Sequence, residues 1–229
     1  TVDLLLSGGA ANRDQNRFET AKKYWQRALV SNPTKSQRSI AIRGIVFATM
    51  ESNQPADVIK LTRKYLRLED WNSLGITLGN ELRGVLSSAA LKESENLNKK
   101  GDVNLAGSLL VDLATEFDNL PQKSRLYRDG AYMLAISGEW SKALEATNKY
   151  INSKDRKKIA DMYYLKARSQ EYLMQFEKSA KSYLLVGQKF PKHPRHKMSL
   201  NRAEKLAVAE GDYDLAAEAA SLKAKYTKR

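Results

Sequence analysis

The sequence predicts an all-α chain, a solenoid of about six αα-hairpins with about twelve helices. Three observations predict it. A short pattern recurs at a nearly constant step through the 229 residues. Each recurrence marks a unit with two stretches whose apolar residues follow helical spacing. No stretch sustains the two-residue alternation and β-branched enrichment that mark a strand.

The pattern is an apolar or aromatic residue after a polar or glycine-containing stop, with a small residue three positions on. It reads Phe18-Glu-Thr-Ala21, Val103-Asn-Leu-Ala106, Trp140-Ser-Lys-Ala143, Phe176-Glu-Lys-Ser179 and Tyr213-Asp-Leu-Ala216, with a weaker copy at Pro55-Ala-Asp-Val58. Successive copies start 37, 48, 37, 36 and 37 residues apart. The units then span approximately residues 1–35, 36–70, 80–121, 122–156, 157–194 and 195–229 of one array covering 1–229. The long step places an insertion at 70–80.

Taken in order, Leu5-Leu-Ser7-Gly-Gly9 reads as close helix packing or a frayed end. Phe18 to Ala28 forms a second helix, stopped by Asn32-Pro33. Proline lacks an N–H and favours an extended residue before it. The insertion carries Trp71, Leu74, Ile76 and Leu78. Such residues are costly to expose, which favours a plug at a bend over a contact loop. Lys100-Gly101-Asp102 is a turn, and Leu120-Pro121 ends the third unit. In the fourth, Leu126, Tyr127, Ala131, Leu134 and Ala135 define one helix, and Ala143, Leu144, Ala146, Tyr150 and Ile151 the next. Ser137-Gly138-Glu139 turns between them, with Gly where the first helix stops. Phe190-Pro191 ends the fifth unit, and Glu210-Gly211-Asp212 turns the sixth. Ala224 to Arg229 reads as a polar, frayed end; with Thr1 in place of an initiating Met, it suggests a processed form or a fragment of a longer array.

The small residues have a physical reason. Two antiparallel helices joined by a tight turn approach closely only where their side chains are small. Ala21, Ala106, Ala143, Ser179 and Ala216 lie one turn into each second helix, where that crossing falls. One hairpin cannot bury both its faces, so neighbours must stack.

At these residues the chain resembles the tetratricopeptide repeat, a two-helix unit of about 34 residues with a Gly-Asp-Tyr-like turn followed by a small residue. Gly211-Asp212-Tyr213-Asp214-Leu215-Ala216 carries the likeness, as does Phe18-Glu-Thr-Ala21-Lys-Lys-Tyr-Trp25-Gln-Arg-Ala28 ending in Asn32-Pro33. It is strong in the second helices and poor in the first. There the family's small residue appears as Gly9, Ala131 and Ala167, but Val46 and Glu204 replace it elsewhere. A Sel1-like or HEAT-like αα-array is the alternative. The resemblance implies a right-handed superhelix whose first helices line the concave face. The stretch from Ser179 to Pro194, with its Phe190-Pro191 end, also resembles repeats of bacterial cell-envelope proteins. It implies a periplasmic setting, with the cytoplasm as the alternative.

Catalysis finds little support. There is no cysteine, hence no thiol nucleophile or thiolate metal site. The only imidazoles are His193 and His196, separated by Pro194 and surrounded by cations, which disfavours a divalent metal. They read as a solvated loop. No phosphate-binding glycine motif occurs. The acids Glu93/Glu95 and Glu69/Asp70 read as surface charges. Catalytic, metal and cofactor sites are therefore expected to be absent. No apolar run approaches the ~18 residues of a membrane span.

The net charge is +13, and residues 149–229 contribute +10 of it, from 19 Lys+Arg against 9 Asp+Glu. The basic patch comprises Lys154, Arg156, Lys157, Lys158, Lys189, Lys192, Arg195 and Lys197. Such a surface attracts acidic partners. The face that the resemblance makes concave would carry Arg43, Phe47, Arg125, Arg128, Tyr132, Tyr164, Arg168, Tyr172, Asn201, Arg202 and Lys205. Some of these tyrosines would instead fill the core. Arginine and tyrosine suit protein recognition. The family's peptide-carboxylate clamp is not matched, since Leu6 and Ala10 stand where polar residues are needed. The reading is a protein–protein interaction scaffold for a partner with an acidic surface or segment. Single-stranded RNA binding and recruitment of an anionic polysaccharide are the alternatives.

Overall fold

The computed structural model describes residues 1–51, 54–70 and 75–227. They form twelve helices and no strand: α1 (Val2–Asp14), α2 (Phe18–Val30), α3 (Lys35–Glu51), α4 (Pro55–Leu68), α5 (Ile76–Lys99), α6 (Val103–Glu116), α7 (Lys123–Ile136), α8 (Trp140–Ile151), α9 (Ile159–Tyr172), α10 (Phe176–Lys189), α11 (His196–Ala209) and α12 (Tyr213–Thr227). The helices group into two compact units. The first holds Thr1–Asn96 with Phe117–Pro121, the second Leu97–Glu116 with Gln122–Arg229.

Each copy of the sequence pattern begins on the first residue of a helix: Phe18, Pro55, Val103, Trp140, Phe176 and Tyr213 open α2, α4, α6, α8, α10 and α12. The small residue three positions on is sealed at the crossing. Ala21, Ala106, Ala143 and Ser179 have no exposed surface, and Ala216 is buried too. Ser179 also donates its Oγ–H to the Ala167 carbonyl at 2.9 Å, so a hydroxyl is satisfied where the helices touch.

One turn serves five hairpins. The amide three residues past each helix bonds a carbonyl five residues back, as Asp102 does to Leu97 and Asp212 to Ala207 at 2.9 Å. The residue between is left-handed. Gly101, Gly138 and Gly211 take that position with φ of +89, +84 and +76. The other two turns use Asn16 at φ +59 and Met174 at φ +58. Asparagine tolerates this region; methionine does not. Met174 is also 78% exposed, so its side chain returns little. Met174→Gly is therefore expected to stabilise the protein by about 1 kcal/mol, read as a higher urea midpoint. Asn32 departs from the extended conformation expected before Pro33: it sits at φ +55.

In the first unit, Trp25 of α2 is buried between α1 and α3, where Gly9 and Gly44 leave space for its ring. The Ser7-Gly8-Gly9 run is thus helix packing, with Tyr24 against Gly8. Arg38 of α3 donates to Glu69 beyond α4 at 2.5 Å. The Glu69 side chain is only 8% exposed, so this acid is no ordinary surface charge. That bond raises the Arg38 pKa above its usual value, against the opposing effect of burial. The insertion is partly helix: α5 begins at Ile76 and runs 24 residues. Leu78 is buried as a plug would be, but Ile76 is 65% exposed. Trp71 and Leu74 lie outside the described residues.

The second unit stacks α6 to α12, each helix against the next. Its C-terminal core joins Leu184 and Val186 of α10, Leu200 and Leu206 of α11, and Leu215 and Ala219 of α12. Tyr226 packs on this core, so the chain is docked at least that far, where the polar composition suggested fraying.

Candidate binding surface of the second unit

Two cavities adjoin on the second unit. One, of ≈ 450 Å³, is lined by Tyr132, Ala135, Ile136, Trp140, Tyr164, Leu165, Arg168, Tyr172 and Arg195. The other, of ≈ 390 Å³, is lined by Tyr164, Arg168, Glu171, Tyr172, Tyr183, Met198, Asn201, Arg202 and Lys205. Tyr164, Arg168 and Tyr172 belong to both. The lining comes mainly from α7, α9 and α11, the first helices of three successive hairpins.

Seven of the eleven residues expected on this face meet there: Tyr132, Tyr164, Arg168, Tyr172, Asn201, Arg202 and Lys205. Arg125 and Arg128 lie on α7 but turn to Asp129, at 3.3 and 2.7 Å. Arg43 and Phe47 belong to the first unit, where Arg43 pairs with Glu81 of α5 at 2.8 Å. The resemblance placed these four on the face; neither cavity is lined by them, and the three arginines are paired with carboxylates.

The tyrosines divide between core and surface. Tyr164 is 6% exposed and stands edge-on to Tyr183, at 5.8 Å between ring centres. Tyr132 is half-buried, and burial first, then Asp161, pushes its hydroxyl pKa up to about 12. It stays a neutral donor at physiological pH. Tyr172 is 55% exposed but not idle: it stacks on Trp140 at 3.9 Å and 4° between planes. Arg168 lies over both rings, 5.7 Å from that of Trp140 and 5.5 Å from that of Tyr172, and bonds the Tyr172 hydroxyl at 3.4 Å. The four-residue spacing of Arg168 and Tyr172 thus becomes a contact. Trp140 escaped notice as a surface residue because it opens a copy of the repeat pattern, where an apolar or aromatic residue is expected.

Glu171 is the acid in the second cavity. Burial pushes its pKa up, but hydrogen bonds from Arg202 and from the Tyr183 hydroxyl outweigh this and hold it below the usual carboxylate value. The Tyr183 hydroxyl donates at 3.0 Å, and its own pKa is raised by burial and by that carboxylate.

The basic patch occupies two loops and their flanks. Arg156 donates to the Ile151 and Ser153 carbonyls at 2.9 Å, closing the end of α8. Lys158 lies 3.8 Å from Asp161. Lys154, Lys157, Lys189, Lys192 and Lys197 are exposed. Arg195 turns to the cavity, 4.6 Å over the Tyr164 ring.

The histidines are not solvated. The His193 side chain is 7% exposed and its Nε2 bonds Asp161 at 3.0 Å. His196 opens α11, is 4% exposed, and stands edge-on to Tyr226 at 4.5 Å. At the start of the same loop Phe190 packs on Tyr163, at 5.8 Å between ring centres. Neither His196 nitrogen has a hydrogen-bond partner among the described residues. Burial first, then the charges of Lys197 and His193, lowers the His196 pKa below its usual value, against an opposing effect of the Gly187 backbone. The unfolded chain then takes up a proton that the folded chain resists. The stability that His196 contributes is complete above about 6.5 and is lost as pH falls toward the folded value. His196→Phe is expected to flatten the decline in urea midpoint between about pH 7 and 5. An unchanged slope would show that His196 is not the group responsible.

No family model and no curated protein matches the chain. Solved structures do. PilF of Pseudomonas aeruginosa is 17% identical, with 100% of this chain and 93% of that chain covered and a TM-score of 0.43. The TPR2AB domain of yeast Sti1, solved in a pHSP90 complex, is 16% identical, with 97% and 89% covered and a TM-score of 0.37. The MamA protein is 17% identical, with 93% and 94% covered and a TM-score of 0.36.

Proposed function

We propose that this tetratricopeptide-like chain is a protein-interaction scaffold whose second unit holds an acidic segment of a partner along α7, α9 and α11. What supports the reading is the composition of the two cavities. Their linings together carry Arg168, Arg195, Arg202 and Lys205 with one acid, Glu171, among Trp140, Tyr132, Tyr164, Tyr172 and Met198. Tryptophan, tyrosine and arginine carry most interface hot spots, because they bury large surfaces at low entropic cost. The exposed lysines of the basic loops would speed encounter with an acidic partner. No reaction is assigned: the lining offers donors and rings, and its carboxylate is already held by Arg202 and Tyr183. A single array over residues 1–229 and a bacterial envelope setting belong to the same proposal; the setting rests on the Phe190-Pro191 unit end alone.

The test is capture of partners by the immobilised chain. Arg168→Glu is expected to lower capture about tenfold with the far-UV spectrum unchanged. Arg128→Glu should do less, since Asp129 already holds that guanidinium. If every partner of the wild type is retained by Arg168→Glu, the groove assignment fails. Titration with random RNA and with an anionic polysaccharide, at low and physiological salt, separates the alternatives. Tight binding of either at physiological salt would replace the acidic-protein reading.

A further inference from the structure

Resting on that groove reading, we infer that the ≈ 450 Å³ cavity is a subsite for a phosphorylated side chain on the partner segment. The observation is the state of its two arginines. Arg168 and Arg195 both line the cavity, and neither forms an ion pair with a carboxylate among the described residues. Elsewhere in the two units, Arg38, Arg43, Arg125, Arg128 and Arg202 each have one. The cavity pair is held by rings instead: Arg168 over Trp140 and Tyr172, Arg195 over Tyr164.

Aromatic backing fixes a guanidinium without consuming its charge or its outer N–H groups. Two such groups on one cavity offer two positive charges and several aimed donors. The Tyr132 hydroxyl, kept neutral by burial, adds another donor on the same wall. Two acids lie near: Asp161 is engaged by His193 at 3.0 Å and by Lys158 at 3.8 Å, and Glu171, on which Arg168 also acts, is held by Arg202 and the Tyr183 hydroxyl. A phosphomonoester matches this set, with a charge of about −1.5 to −2 and three acceptor oxygens. One carboxylate has two oxygens and one charge, which would leave a guanidinium unmatched.

The experiment uses three labelled, capped peptides and the full chain, read by fluorescence anisotropy at low salt. The probes are Ala-phosphoserine-Ala, Ala-Asp-Asp-Ala and Ala-Ser-Ala. The phosphoserine peptide is expected to bind at least about tenfold tighter than either of the others. Arg168→Gln and Arg195→Gln should each weaken it about tenfold, and Arg202→Gln less than about twofold, because Glu171 already occupies Arg202. Unchanged far-UV melts establish that the variants are folded. Equal binding of the aspartate and phosphoserine peptides overturns the proposal in favour of a plain acidic subsite. So does wild-type affinity in either cavity-arginine variant. The groove reading fails by a different result, partner capture that survives Arg168→Glu.

Discussion

Trp25→Ala is expected to destabilise the first unit by about 4 kcal/mol. The side chain is only 2% exposed, and its indole spans three helices. A β-carbon on Gly9 of α1 would stand 2.4 Å from Nε1, and one on Gly44 of α3 would stand 2.6 Å from the ring carbons. Nε1 donates to the Leu6 carbonyl at 3.3 Å. The ring therefore fills a slot that exists because two facing positions have no side chain. Alanine would leave that slot empty, and helix backbones close such a void poorly. Urea unfolding measures the loss, and amide exchange over residues 2–51 locates it. A loss below about 1 kcal/mol would mean that α1 and α3 collapse onto each other without the indole.

Gly130→Ala and Gly107→Ala are each expected to destabilise the second unit by about 2 kcal/mol. Helix propensity alone predicts the opposite sign, since alanine is favoured over glycine by about 1 kcal/mol. The crossing of α6 and α7 decides between them. A β-carbon on Gly130 would lie 3.0 Å from the Gly107 carbonyl oxygen and 2.7 Å from Val111 Cγ2. One on Gly107 would lie 3.0 Å from both the Gly130 oxygen and the Leu134 nitrogen. Backbone atoms cannot rotate aside, so the helices must separate. Gly84 of α5 is the control: a β-carbon there meets nothing within 4 Å. Gly84→Ala should stabilise by about 1 kcal/mol. If the Gly130 and Gly84 variants shift the urea midpoint in the same direction, the close crossing is not real.

The second helices were legible because their apolar residues keep to one stripe. In α4, Val58, Ile59, Thr62, Tyr65 and Leu66 are buried along a single stripe. The first helices blurred because they are covered from more than one side. In α9 the buried residues are Met162, Tyr164, Leu165, Ala167, Ser169 and Gln170, which leaves little periodic contrast. A left-handed turn residue is readable when it is glycine, as at Gly138, but Met174 gives no such signal.

The candidate surface was legible as a face and not as a site. Helical spacing grouped Tyr164, Arg168 and Tyr172, which line both cavities, because residues three or four apart share a side. Spacing shows Asp129 beside Arg128 and four residues from Arg125, but it does not show that Trp140, on another helix, backs Arg168. The histidine loop was misjudged for a related reason: charge density along a chain does not reveal which members fold under their neighbours.

By itself, the sequence determined the helical class, the hairpin period and the small residues at each crossing, since these follow from local geometry repeated many times. Only the tertiary structure decided that His196 is a buried neutral base, that Trp25 occupies a glycine slot, and that Trp140 and Arg195 complete the surface on the second unit. Those features join residues from different helices, and contacts between helices depend on distances that no local pattern encodes.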